Sequence, residues 1–175
     1  MRIEKLLPPP QPGKPWSVAL EGGEVLRVSE SVVASFALYG GMELEAETLT
    51  ALQEAAVLAA WREKAGRLLT ARMLSSGQLA EKLTAKGATE EQAAQVVAWA
   101  QDIGLLDDSA YAKALARHYT AKGYGPYKIN DEFYRRQVPR GDWEGGQAAV
   151  GLPVDRLRGH DPLLGGVALG SQQGL

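Results

Sequence analysis

The 175-residue chain contains no cysteine. Disulfides, thiolate nucleophiles and zinc sites with cysteine ligands are thereby excluded, and the absence fits a reducing compartment. Histidine is scarce as well. His118 falls on a partly apolar helical face and His160 in an irregular stretch. Neither has a carboxylate or second histidine at ligand spacing, so no metal site and no histidine-based catalytic site are expected. No apolar run approaches the roughly 20 residues of a membrane span, and the opening MRIEKLLPPP is too broken by charge and proline to serve as a signal peptide. A soluble cytoplasmic protein is the expectation. A phosphate-binding Gly-Lys-Ser/Thr loop is missing too, and Gly22-Gly23 and Gly40-Gly41 read as turns. No cofactor and no enzymatic activity are expected.

A dominant charge is the last thing lacking. Nineteen basic residues stand against 21 acidic ones, but they are unevenly placed: 4 against 8 in residues 1–60, 13 against 9 in 61–140, and 2 against 4 in 141–175. Only the middle of the chain is basic, and too weakly for a dedicated DNA-binding domain.

What the chain does have is an internal repeat. Residues 61–88 and 111–138 are two copies of one helical unit, offset by 50 positions without a gap. Trp61 falls on Tyr111, Ala65 on Leu115, Leu79 on Ile129, Leu83 on Phe133 and Ala88 on Val138, while Arg67, Arg72 and Lys86 fall on Arg117, Lys122 and Arg136. Such a unit buries its apolar stripe against its neighbour and leaves a long surface free, so it more often binds than catalyses.

The fold class expected is mainly α: tandem three-helix repeats behind a short N-terminal β-hairpin and helix. PPPQPGKP at 8–15 excludes helix and central strand. WSVAL and EVLRV then form two strands around the Gly22-Gly23 turn, and Ser29 caps a short helix ending at Gly40-Gly41. Residues 46–105 make a lead-in helix and the first three-helix repeat, with Ser75 or Ser76 and Thr89 as helix caps. Residues 106–145 make a second, incomplete repeat, opened by Asp107-Asp108-Ser109 and carrying Pro126 in the first turn of its middle helix. Its third helix, started by Pro139 with Trp143 inward, is expected to fail, since residues 141–175 hold 9 glycines. Residues 146–175 therefore read as an irregular or disordered tail.

The string GLLDDSAYAKALARHYTAKGYGPYKI resembles the RecX family of recombinase regulators: an apolar-Asp-Asp-Ser helix start at Leu106 to Ser109, the aromatic Tyr111, and a basic-Gly-Tyr-Gly-Pro joint at Lys122 to Pro126. Ser75-Ser76 with Leu79 through Gly87 matches the same joint in the first unit, and the resemblance covers roughly residues 14–140. It implies an all-helical tandem-repeat protein, expected as a monomer, that binds RecA. It further implies a place in the groove of the RecA–single-stranded DNA filament, where the family modulates ATPase, strand exchange and co-protease activity, mostly by inhibition. The chain departs from the family pattern in two places. Gln137 stands where glycine usually ends the middle helix, and glycine-rich sequence follows Arg140 where members continue into a third unit, which fits either a natural truncation or a shifted reading frame.

The candidate partner or nucleic-acid surface is basic: Arg67, Arg72, Lys82, Lys86, Arg117, Lys122, Lys128, Arg135 and Arg136. These residues suit phosphates or acidic protein patches, and the three recurring pairs stand out among them. The plainer alternative is a solvated helical face, because Glu81, Asp131 and Glu132 are interleaved one turn away. Tyr124 and Tyr127 flank the Gly-Pro joint and either stack on a base or pack on the next helix. N-capping accounts for Asp107, Asp108 and Ser109. A stand-alone helical DNA-binding module is the competing reading of the whole chain.

Overall fold

The computed structural model describes residues 1–152. The chain forms two compact units, Met1–Lys64 and a second from Ala65 onward.

The first unit is built on an antiparallel sheet of three strands in the order β1 (Ile3–Leu7), β2 (Trp16–Leu20), β3 (Val25–Val28). β2 and β3 are the expected hairpin, with Val18 opposite Leu26 and Trp16 opposite Val28. β1 is an addition that the sequence pattern hid. A register shift between Ile3 and Lys5 breaks its alternation, so Ile3 is buried while Glu4 and Lys5 are both exposed. Gly22 and Gly23, at φ 97° and 95°, make the β2–β3 turn that only glycine adopts freely.

Ser29 caps α1 (Glu30–Ser35) by accepting from the Val32 amide. The helix ends earlier than expected, because Ala37 takes φ 50° and the Leu38 amide donates back to the Val33 carbonyl. Gly41 turns the chain further on, at φ 89°. The core of this unit joins Ile3, Val18, Leu20, Leu26 and Val28 to Leu38, Leu44 and Leu52, the last on α2 (Ala46–Ala71).

From Ala65 to the end of the described residues the regular structure is helical. The end of α2 is followed by α3 (Ser76–Ala85) and α4 (Glu90–Asp102), then by α5 (Asp108–Ala121) and α6 (Pro126–Arg135). Of Ser75 and Ser76 it is Ser75 that caps α3, in a capping box with Gln78, and Thr89 forms a second box with Gln92. Each cap of this kind contributes about 1 kcal/mol. The 50-residue offset holds in three dimensions, since α3 and α6 share their bounds, α2 and α5 share their ends, and Leu79, Leu83 and Ala88 are buried as Ile129, Phe133 and Val138 are.

The third helix of the second repeat was expected to fail, and that expectation is corrected. A 3-10 turn (Arg140–Asp142) runs into α7 (Trp143–Ala148), one and a half turns long. Trp143 lies 6.1 Å from Phe133, ring to ring, and its indole nitrogen donates to the Val138 carbonyl at 2.8 Å. Glycine there serves packing. Where the first repeat places Leu83, Ala93 and Val96, the second places Phe133, Trp143 and Gly146. A Cβ on Gly146 would stand 3.0 Å from both the Ala112 Cβ and the Phe133 ring, so two larger rings are accommodated by removing one side chain. Of the expected tail, residues 153–175 lie outside the described residues.

Candidate functional site: a basic and aromatic surface on the second repeat

The candidate residues do not fall on one uniform face. On α6, Glu132 is buried, which the sequence spacing did not reveal. Its carboxylate accepts from Arg136 and, at 3.1 Å, from Arg135. The Arg136 guanidinium also donates to the Tyr119 hydroxyl and lies 5.1 Å from that ring's centre, tying α6 to α5. Burial works to lower the basicity of Arg136, but the bond to Glu132 and the Tyr119 and Glu132 charges outweigh it and raise its pKa. Tyr119 is pushed up by burial, with the Arg136 charge opposing. The solvated-face alternative therefore does not describe Glu132 and Arg136, which belong to a partly buried network between α5 and α6.

Around this network the structure gathers further candidates. Tyr124 stacks on Tyr119 with ring centres 4.8 Å apart, Lys128 Nζ lies 4.1 Å from the Tyr124 ring, and Lys122 Nζ lies 5.8 Å from the Tyr119 ring. Tyr124 thus packs on Tyr119 of the preceding helix and meets Lys128 of the next, while Tyr127 is half-buried on the first turn of α6. Arg117 is exposed on α5, and Lys113, one turn before it and overlooked in the sequence, is exposed too. Their i,i+4 spacing was the available signal.

The candidates on the first repeat are more scattered. Arg67, Arg72 and Lys86 are exposed and Lys82 is half-buried. Of the recurring pairs, Lys86 and Arg136 differ in setting: the position one turn before them is Lys82 in one repeat and the buried Glu132 in the other.

The acidic helix start proves to have two roles. Asp107 caps its own helix, accepting from the Ala110 amide at 3.0 Å, whereas Asp108 reaches across the repeats to accept from the Ser76 amide at 2.8 Å. Ser75 completes the joint by donating its hydroxyl to the Arg136 carbonyl. Among the described residues, no group of three acidic, histidine or cysteine side chains is placed to hold a metal ion, and no helix is long and apolar enough to cross a membrane.

Comparison with known proteins places this architecture. Two family models match, "RecX, first three-helix domain" over residues 62–99 and "RecX, second three-helix domain" over residues 107–145. The regulatory protein RecX of Escherichia coli O7:K1 is 32% identical over 88 residues, 45% of this chain and 53% of the relative. That of Vibrio cholerae O1 is 35% identical over 80 residues, 46% of this chain and 53% of the relative. The Pseudomonas putida GB-1 protein is 34% identical over 101 residues, 57% and 64% respectively. The chain thus spans about half the length of these two Escherichia coli and Vibrio cholerae relatives. A crystal structure of regulatory protein RecX shares the fold, with a TM-score of 0.73 and 23% identity over 85% of this chain and 73% of that one.

Proposed function

Because the chain belongs to the RecX family, we propose that it is a non-enzymatic regulator that binds RecA and its single-stranded DNA filament. In this reading it lowers the filament's ATPase, strand-exchange and co-protease activities in DNA repair, inside the cytoplasm. The observation that carries the proposal is the pair of three-helix domains in uninterrupted succession, matched over residues 62–99 and 107–145. A tandem array of this kind offers an extended surface to an extended partner. Its cations favour encounter with a nucleoprotein filament, whose phosphates supply the opposite charge.

The test is a titration of the purified chain onto RecA filaments preformed on single-stranded DNA, with ATP hydrolysis and co-sedimentation read together. Loss of hydrolysis at or below one chain per recombinase, with the chain in the pellet, is the expected result. Unchanged hydrolysis and a chain left in the supernatant would overturn the proposal.

A further inference from the structure

By sequence the two three-helix domains are nearly alike in charge. Residues 62–99 hold six basic and four acidic side chains, and residues 107–145 hold seven and six. Folding separates them. In the first domain the cations Arg67, Arg72 and Lys86 are exposed, and so are the acids Glu63, Glu81, Glu90 and Glu91. In the second, most of the acids are drawn inward. Asp108 is buried on the Ser76 amide, Glu132 is buried on Arg136, and Asp131 and Asp142 are half-buried. Six cations remain exposed, Lys113, Arg117, Lys122, Lys128, Arg140 and Arg135, the last still bonded to Glu132, against only Asp107 and Glu144.

We infer that the second domain, and not the first, carries the contact of this chain with the phosphate backbone of a single nucleic-acid strand. The inference rests on the proposed function for its partner and adds which domain makes the contact and by what chemistry. Internal use of the carboxylates is what creates the surface: each acid engaged inside the domain leaves a cation outside with less local compensation. A phosphate backbone fits it better than an acidic protein patch. Protein interfaces deplete charged residues at their centre in favour of apolar and aromatic side chains, whereas nucleic-acid interfaces are polar and strongly positive. Here the exposed cations are spread over α5, α6 and the turns that follow them. Of the aromatic side chains there, Tyr124 has its ring engaged by Tyr119 and Lys128, and Tyr134 stands exposed on α6, where a ring can stack on a base.

The experiment measures binding of the full chain to a fluorescent oligo-dT by anisotropy across a salt series, with no recombinase present. Two triple variants are compared, Lys113→Gln/Arg117→Gln/Lys128→Gln and Arg67→Gln/Arg72→Gln/Lys86→Gln. The second-domain triple should bind about tenfold more weakly and flatten the log–log salt slope by about 2, at about 0.7 per lost phosphate contact. The first-domain triple should lose no more than about twofold. Arg117→Gln alone, at an exposed position, keeps the comparison readable if the triple folds poorly, with a slope change of about 0.7. Equal losses in the two triples, a loss without a change in slope, or no oligo-dT binding by the native chain would each overturn the inference. Since RecA is absent from the assay, a chain that binds oligo-dT but leaves filaments untouched defeats the proposed function alone. One that inhibits filaments without binding oligo-dT defeats this inference alone.

Discussion

A Cβ placed on Gly77 would stand 2.8 Å from the Cβ of Gln137 and 2.9 Å from its Oε1. The first turn of α3 and the turn after α6 therefore meet with no side chain between them, and the bonds Ser75 to Arg136, Ser76 to Asp108 and Gln137 to Glu81 surround the contact. Gly77→Ala is expected to destabilise the chain by about 1–2 kcal/mol. Overpacking costs about 1–3 kcal/mol, and the helical preference of alanine returns up to about 1 kcal/mol. Urea unfolding measures the change, and a midpoint at or above that of the native chain would show that the joint yields easily.

Gln137 itself holds φ 56°, in the position equivalent to Gly87 at φ 113°. A non-glycine residue in this region costs about 1–2 kcal/mol, offset here in part by the side-chain bond to Glu81. Gln137→Gly loses that bond but relieves the backbone, while Gln137→Ala loses the bond and keeps the strain. The glycine variant should therefore be the more stable of the two by about 1 kcal/mol. Thermal melts of the pair decide it, and an alanine variant that matches or exceeds the glycine one contradicts the strain.

The Gln137 turn also shows how far the sequence could be read. The 50-residue offset set it against Gly87, and the shared left-handed backbone follows from that alignment. The Thr89 cap was legible for the same local reason: Gln92 stands three residues on and the capping bond needs nothing beyond that spacing, whereas Ser75 and Ser76 were equal candidates until folding engaged Ser75 with Gln78. β1 was hidden because its register shift destroys the alternation that marks a strand. At the candidate site, spacing grouped Arg135 and Arg136 but could not show that Glu132 turns inward. Which acids remain on the surface is decided by packing between helices, which no local pattern encodes.

Gly146 gives a second steric prediction. Its Cβ position is closed by Ala112 and Phe133 at 3.0 Å each, while the first repeat has Val96 at the equivalent position and the smaller Leu83 in place of Phe133. Gly146→Ala should cost about 1–3 kcal/mol. Adding Phe133→Leu should cost less in that background than in the native chain, because the shortened side chain makes room. A double-mutant cycle by chemical denaturation measures the coupling. Strictly additive effects would show that ring size and glycine are unrelated here.

Glu132 and Arg136 predict an asymmetry between two single variants. The Glu132 side chain is 9% exposed and that of Arg136 27%. Arg136→Met leaves a buried carboxylate without its main partner and removes the link to the Tyr119 hydroxyl. A loss of about 2–3 kcal/mol is expected, below the about 3–5 kcal/mol of a fully buried pair because water reaches the guanidinium side. Glu132→Gln keeps the shape and removes the buried charge, so it should cost less than Arg136→Met. Guanidinium chloride unfolding ranks them, and the reverse order would place the stabilising contribution on the carboxylate instead.

Asp142 predicts a pH dependence. Burial raises its pKa above the ordinary aspartate value, and the nearby Asp108 and Asp107 charges raise it further. A carboxyl with a higher pKa folded than unfolded binds its proton more tightly in the native state. It costs the fold nothing while both states are protonated. The cost appears as pH rises through the unfolded pKa and is complete above the folded one. Asp142→Asn removes the ionisation, and the side chain of Asp142 makes no capping bond to α7 that asparagine would have to replace. The variant should therefore be more stable than the native chain at pH 7, with the advantage shrinking as pH falls through the raised pKa and gone below the ordinary aspartate range. Melting temperatures of both proteins between pH 3 and pH 8 measure it, at fixed ionic strength because the Asp107 and Asp108 charges are screened by salt. An advantage that persists unchanged at acid pH would mean that asparagine stabilises the turn into α7 by packing or hydrogen bonding rather than by removing a charge.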